Sequence, residues 1–211
     1  MRFKCGPILW GYALILFLLF GASLDAVIID KIVAIVNTDV ITQSEVAVTK
    51  QLNLHISGLS DQKDPLQQRI DHKLLLQQLT KQPPVPLTNE EVHEEVLRYA
   101  GRYENNEQLF QFLNSIGMNY SDFEAEVREQ LSIRRFITER FRPFVNITIE
   151  EAERYYENTY VPRRQKEGME VLPFAGSFSE VQNEMVESMV QKRLTEWLEQ
   201  LRQSATINIK D

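Results

Sequence analysis

The sequence contains a single cysteine, Cys5, in a short stretch that also holds Arg2 and Lys4. It precedes the first apolar run, too early for a lipid-attachment site, which would follow such a run. Once a leader containing it is removed, disulfides and cysteine catalysis are excluded, and an oxidising compartment poses no redox hazard. Histidine is almost as scarce: His55, His72 and His93 fall on separate predicted helices. With no cysteine and no close pairing, they read as solvent-facing or core-edge residues before metal ligands. There is no glycine-rich phosphate loop and no Gly-x-Ser-x-Gly elbow, so neither nucleotide chemistry nor that hydrolase pattern is signalled. No cofactor and no metal is expected. Basic residues are outnumbered, 23 against 30 acidic ones, giving a formal net charge of −7. That balance argues against a nucleic-acid partner and favours solubility.

One long hydrophobic run is present, Ile8 to Phe20. It falls well short of the roughly 20 residues a membrane span needs and suits the core of a signal peptide behind a positive start. Gly21, Ala22 and Ser23 supply small residues, so cleavage is expected after Ser23. Cleavage after Ala26 is the alternative, and an uncleaved anchor a further one. The leader implies export, with no stable membrane insertion after cleavage.

Beyond the leader, periodicity and caps predict a mainly α chain. Lys31 to Val36 is apolar and β-branched, hence a strand. Thr42 with Glu45, Thr88 with Glu91, Ser121 with Glu124 and Thr148 with Glu151 each match the capping-box spacing. These boxes open helices predicted to end near His55, Ala100, Phe141 and Tyr160. The Ser121 helix is expected to be the longest. Asp64-Pro65 starts another helix, with Leu66, Ile70 and Leu74 on one stripe, stopped by Pro83, Pro84 and Pro86. Asn105 marks a break before Leu109 to Ile116, and Gly117 reads as a helix-ending glycine. Glu90, Glu91, Glu94 and Glu95 suit a helix start and a solvated face better than carboxylate chemistry. Asn119-Tyr120-Ser121 and Asn146-Ile147-Thr148 match glycosylation acceptors, a weak signal. Val161 to Phe178 looks looser, with Pro162, Gly168, Pro173 and Gly176. Ser179 to about Gln203 is a long amphipathic helix, in which Trp197 and Leu201 could face the core or a second subunit; the oligomeric state stays open. Ala205 to Ile209 alternates like a short strand. A lone terminal strand needs a partner for its backbone groups. The two ends are therefore predicted to pair, residues 31–36 with 205–209, in one small sheet.

Several of these segments resemble SurA-like periplasmic chaperones. Asp30 to Asn37 (DKIVAIVN) and Thr42 to Glu45 (TQSE) look like the mature N-terminus of that family. Gly117-Met118-Asn119-Tyr120, followed by Phe123, Val127, Arg128 and Leu131, looks like its Gly-Leu-x-Tyr loop and long helix. Phe178 to Ile209 looks like its C-terminal helix and strand. The resemblance implies four parts: a signal peptide (1–23), a SurA-like helical domain (24–160), a linker replacing the prolyl isomerase domain of many relatives (161–177), and a C-terminal helix and strand completing the core (178–211). A domain needs at least ~50 residues, so no isomerase domain fits the gap.

The implied function is an ATP-independent, non-enzymatic chaperone whose partners are unfolded envelope or outer-membrane proteins. The alternatives are a prolyl isomerase with a reduced site and a fixed subunit of an envelope assembly complex. The expected client groove comprises Tyr99, Tyr103, Phe110, Phe112, Met118, Tyr120 and Phe123. Core packing alone would explain most of these rings. A holding surface would need some of them exposed beside deformable methionines such as Met118, Met169, Met185 and Met189.

Overall fold

A computed structural model describes residues 30–52, 64–83 and 86–210. The chain divides into Met1–Asp30 and Lys31–Asp211, and the fold described is that of the second unit. The expected leader, its cleavage sites, Cys5, His55 and the loop around Gly58 lie outside the described residues. Among those described, no helix is long and apolar enough to cross a membrane.

The molecule is mainly α with one small antiparallel sheet. Strand β1 (Ile32–Val36) is central, flanked by β2 (Asp39–Thr42) and β3 (Ile207–Ile209). The two ends of the chain do pair: Ala34 opposes Ile209, Ile35 opposes Asn208 and Val36 opposes Ile207. The sequence reading missed β2. Its two-residue hairpin turn starts at Asn37, which adopts φ 55° in the left-handed region that asparagine tolerates better than most residues. Asn37 also ties the ends together. Its amide N–H donates to the Thr206 carbonyl (2.8 Å) and its side-chain oxygen accepts from the Thr206 N–H (2.9 Å).

Helices follow in order: α1 (Gln43–Leu52), α2 (Pro65–Leu79), α3 (Asn89–Ala100), α4 (Asn106–Ser115), α5 (Tyr120–Phe141), α6 (Ile149–Tyr155), α7 (Val161–Lys166) and α8 (Phe174–Ser204). Three expected capping boxes form, with Glu45, Glu91 and Glu151 each reaching back to its threonine's N–H. The fourth does not: Asn119 caps α5, accepting from the Asp122 N–H at 2.9 Å. The helix therefore starts at Tyr120, ahead of Ser121. Nor is α5 the longest helix; its 22 residues are exceeded by the 31 of α8, which begins at Phe174 instead of Ser179.

The supposedly loose stretch is largely helical. A wide π-type turn at Tyr156–Tyr160 runs directly into α7. Pro162 sits in the first turn of α7, directly after the wide turn. The residues between α7 and α8 are clamped: the Leu172 carbonyl accepts from the Tyr156 hydroxyl (2.6 Å) and the Ser177 hydroxyl (3.1 Å).

The apolar core is built in blocks along α5. Its N-terminal half contributes Phe123 and Val127 to a cluster with Leu52, Val92, Val96, Tyr99, Leu109 and Leu113. Its C-terminal half contributes Ile133 and Ile137 to a cluster with Leu75, Val190, Leu194 and Leu198. Trp197 and Leu201 pack against this second cluster, on the core side of the alternatives open for them. A third cluster seats the sheet on Ile70 and Leu74 of α2. The fourth, around Ala152, Tyr160 and Val181, joins α6 and the wide turn to α8.

Candidate functional site

The seven residues expected to form a groove come together, but not as equals. Six of their rings make one unbroken chain of contacts across α3, α4 and α5. Phe112 meets Tyr103 at 5.5 Å between centroids, Tyr103 meets Tyr99 at 6.1 Å, and Tyr99 meets Phe123 at 5.0 Å. Phe123 then meets Tyr120 at 6.3 Å, and Tyr120 meets Phe110 at 5.7 Å. All five pairs are tilted, within the 4.5–7 Å range in which rings attract. Met118 packs against the same cluster.

Exposure grades along this seam. Phe123 and Tyr99 are buried, at 0% and 5% exposed. They form the floor of the seam. Tyr103, Phe112 and Met118 are half-buried, whereas Phe110 (42%) and Tyr120 (37%) open to solvent. The gradient has a local cause. Phe110 sits one position after Leu109, which the helix turns inward, and Tyr120 is the first residue of α5, before the helix commits a face to the core.

Two interactions fix the floor. The Tyr99 hydroxyl donates to the Leu52 carbonyl at the end of α1 (2.9 Å). Burial, together with the Tyr103 hydroxyl beside it, pushes the Tyr99 phenol well above its ordinary range, so it stays a neutral donor. The Arg102 guanidinium lies 4.6 Å from the Tyr99 ring centroid and closes the far face. Gly117, at φ 72°, supplies the turn that brings Met118 and Tyr120 back over α4.

Next to the seam is a buried polar hub with no counterpart in the sequence reading. Arg69 on α2 reaches Glu45 of α1 at 3.0 Å and Glu126 of α5 at 2.9 Å, and Lys73 reaches Glu45 at 2.9 Å. Burial opposes ionisation of Glu45, but hydrogen bonds from Lys73, the Thr42 backbone and Arg69 hold its carboxyl below the usual range. His72 is 3% exposed, deeper than a core-edge residue, with Nδ1 3.3 Å from Arg69 and Nε2 3.9 Å from Glu129. Burial, helped by the charges of Arg69 and Lys73, pushes it down to about 4, so it is neutral at pH 7. Across α2, the buried Asp71 takes a two-pronged contact from Arg202 of α8 (2.7 and 2.5 Å). The hub is structural: it ties α1, α2, α5 and α8 around the seam. Among the described residues no group of His, Cys, Asp and Glu is arranged to hold a metal ion.

The remaining methionines divide. Met169 and Met189 are exposed, but Met185 packs onto the Ala152–Tyr160–Val181 cluster. The sequence reading also passed over an apolar cleft at the other end of α5, lined by Pro83, Pro86, Phe136 and Phe144. In sequence the proline cluster signals only a helix stop, and Phe144 follows Pro143 in a single 3₁₀ turn with no periodicity to expose it.

Comparison with known proteins fits this architecture. The family model for the C-terminus of bacterial trigger factor protein matches residues 59–136. Among curated proteins, the chaperone SurA of Legionella pneumophila (strain Paris) is 28% identical over 141 residues, covering 62% of this chain and 33% of that protein. The chain thus spans about a third of the length of the curated relative it matches. Among solved structures, one of the two SurA-like chaperones PEB4 and Cj1289 of Campylobacter jejuni matches with a TM-score of 0.50 at 11% identity. The match covers 85% of this chain and 99% of the other. At that identity the structural likeness is one of fold. The chain is similar to SurA-like chaperones, and residues 161–177 hold α7 and the first turn of α8.

Proposed function

We propose that this protein is a periplasmic, ATP-independent chaperone that holds unfolded envelope or outer-membrane proteins on the aromatic seam of α3, α4 and α5. The observation that carries this reading is the exposure gradient. A packed, hydrogen-bonded floor of Tyr99 and Phe123 keeps Phe110, Tyr120 and Met118 in place at the surface, where ring faces and a flexible thioether can meet apolar segments of many sequences. Scattered exposed apolar residues are ordinary; a contiguous, supported row is what marks an interaction surface. The similarity to SurA-like chaperones supports the same reading. Binding would be reversible shielding with no covalent step. The acidic net charge would help keep complexes with apolar clients in solution.

The test is suppression of aggregation of an unfolded outer-membrane protein, run beside an X-Pro isomerisation assay on a peptide. Native protein should suppress aggregation, and the F110S/Y120S double variant should lose most of that effect while keeping its fold. Equal suppression by the variant would remove the seam from the mechanism. Catalysed isomerisation would replace the chaperone reading with an enzymatic one, and capture of one stoichiometric partner from envelope extracts would replace it with an assembly subunit.

A further inference from the structure

The cleft at the C-terminal end of α5 has a different chemistry from the seam. Phe136 forms its buried floor, and Pro83, Pro86 and Phe144 form its apolar walls. Its volume of about 430 Å³ lies within the roughly 300–1,000 Å³ typical of ligand clefts. Phe144 is 71% exposed, the most open of the large apolar side chains among the described residues. The Pro86 wall is held in place, since Arg135 donates to the Pro86 carbonyl while also pairing with Glu91. The cleft is thus supported from behind, as the seam is.

Arg140 supplies the charge. Its guanidinium lies 4.4 Å from the Trp197 ring centroid and 5.6 Å from that of Phe141, so the group is held against two rings at the cleft's rim. Among the described residues no carboxylate lies within ion-pair distance of Arg140. Its neighbour Arg142, by contrast, pairs with Glu187 at 3.0 Å. A cation is favoured in the last turn of a helix in any case, which accounts for an arginine near this position. The helix end does not account for an apolar, walled cleft beneath it. A guanidinium held against ring faces still has N–H donors to offer, and these match a carboxylate in two-pronged geometry. Glu139 also lines the cleft, so an incoming carboxylate has to sit on the Arg140 side.

We infer that this cleft is a second client subsite, taking an aromatic side chain that stands next to a carboxylate in the same unfolded segment. The inference rests on the chaperone reading above and adds selectivity to it. Arg140 lies 20 positions after Tyr120, which at 1.5 Å per residue puts the two subsites about 30 Å apart along the axis of α5. At 3.6 residues per turn the two positions also differ by about 200° around that axis, so the subsites open on opposite sides of α5 and act as separate contacts.

The experiment is fluorescence anisotropy of the full chain with two labelled unstructured peptides. Both carry a tryptophan, followed by aspartate in one and by asparagine in the other. The aspartate peptide should bind about fivefold more tightly, the scale of one charge-assisted contact at a partly exposed site. R140Q should bring the two affinities together, R140K should restore part of the difference, and E139Q should widen it. F144S should weaken both peptides. F110S/Y120S, at the other end of α5, should leave the ratio intact. Equal affinities for the two peptides, or a ratio that survives R140Q, would overturn the carboxylate subsite while leaving the seam standing. Failure of both peptides to bind would instead overturn the chaperone reading, and this inference with it.

Discussion

The polar hub and the aromatic seam lie side by side on the same helices, and they solve opposite problems. In the hub, groups that would be costly to bury alone are matched one to another: Arg69 with Glu45 and Glu126, Asp71 with Arg202. Such contacts are directional, so they fix how α1, α2, α5 and α8 meet. In the seam, ring meets ring with little directional demand, and the same chemistry continues from the buried Phe123 to the exposed Phe110. The difference teaches that one region specifies the arrangement, and the other is left free to accept whatever apolar surface arrives. A holding surface that depended on matched charges would select one partner; a ring surface tolerates many.

The comparison can be broken first at the floor of the seam. Phe123→Ala removes a fully buried ring shared by three helices, and a loss of about 4 kcal/mol is expected. A urea titration followed by far-UV circular dichroism measures it, and a loss under about 1 kcal/mol would mean that the floor is not core at all. Next comes the hub. Arg202→Ala removes the two-pronged contact to the buried Asp71 and should cost about 3 kcal/mol. The same titration would show it, with no change in peptide binding at temperatures where the variant is folded.

The pH dependence of stability sharpens the contrast further, because the shifted carboxylates and histidine belong mainly to the hub. His72 is held at about 4 in the folded chain against an ordinary 6.5. Between those values the unfolded chain binds a proton that the folded chain refuses, so stability falls as pH drops from 6.5 towards 4, by about 2 kcal/mol. Glu45, held low, contributes stability that is present above its ordinary value and is lost as pH falls through its folded value, a loss in the same direction further down. Glu129 acts oppositely: burial and the neighbouring Glu126 raise it, so the folded chain takes that proton first and recovers some stability on acidification. Urea midpoints measured from pH 7.5 to 4.5 should decline in the native protein and flatten in His72→Gln. A decline that persists unchanged in the variant would assign it to other groups.

The smallest effect on stability should come from the outer end of the seam. Phe110 and Tyr120 stay 42% and 37% exposed in the folded chain, so removing both rings in F110S/Y120S should cost less than either buried substitution, about 2 kcal/mol or less. Its effect on aggregation suppression should be large in comparison. A variant that lost stability on the scale of Phe123→Ala would show that these rings belong to the core.

Much of the fold was legible in the sequence because it is encoded locally. Thr42, Thr88 and Thr148 announce helix starts through hydrogen bonds that span only three residues. The alternation at residues 205–209 demanded a sheet partner, and residues 31–36 were the available match. Where two local signals competed, reading failed: Asn119 and Ser121 both can cap, and the geometry of the turn after Gly117 chose Asn119. The segment 161–177 reads as loose because Pro162, Gly168, Pro173 and Gly176 report only local backbone preference. Contacts to α8, including Arg163 with Glu184 at 2.6 Å, hold it.

The sequence by itself determined the mainly α class, the pairing of the chain ends and the set of residues in the seam. Caps, periodicity and composition act over a few positions and need no knowledge of the remote chain. Only the tertiary structure decided which of those rings form floor and which form surface. It alone assembled the Arg69 hub and the Arg140 cleft, because charges and walls 24 to 131 positions apart in sequence meet only once the helices have packed around α5.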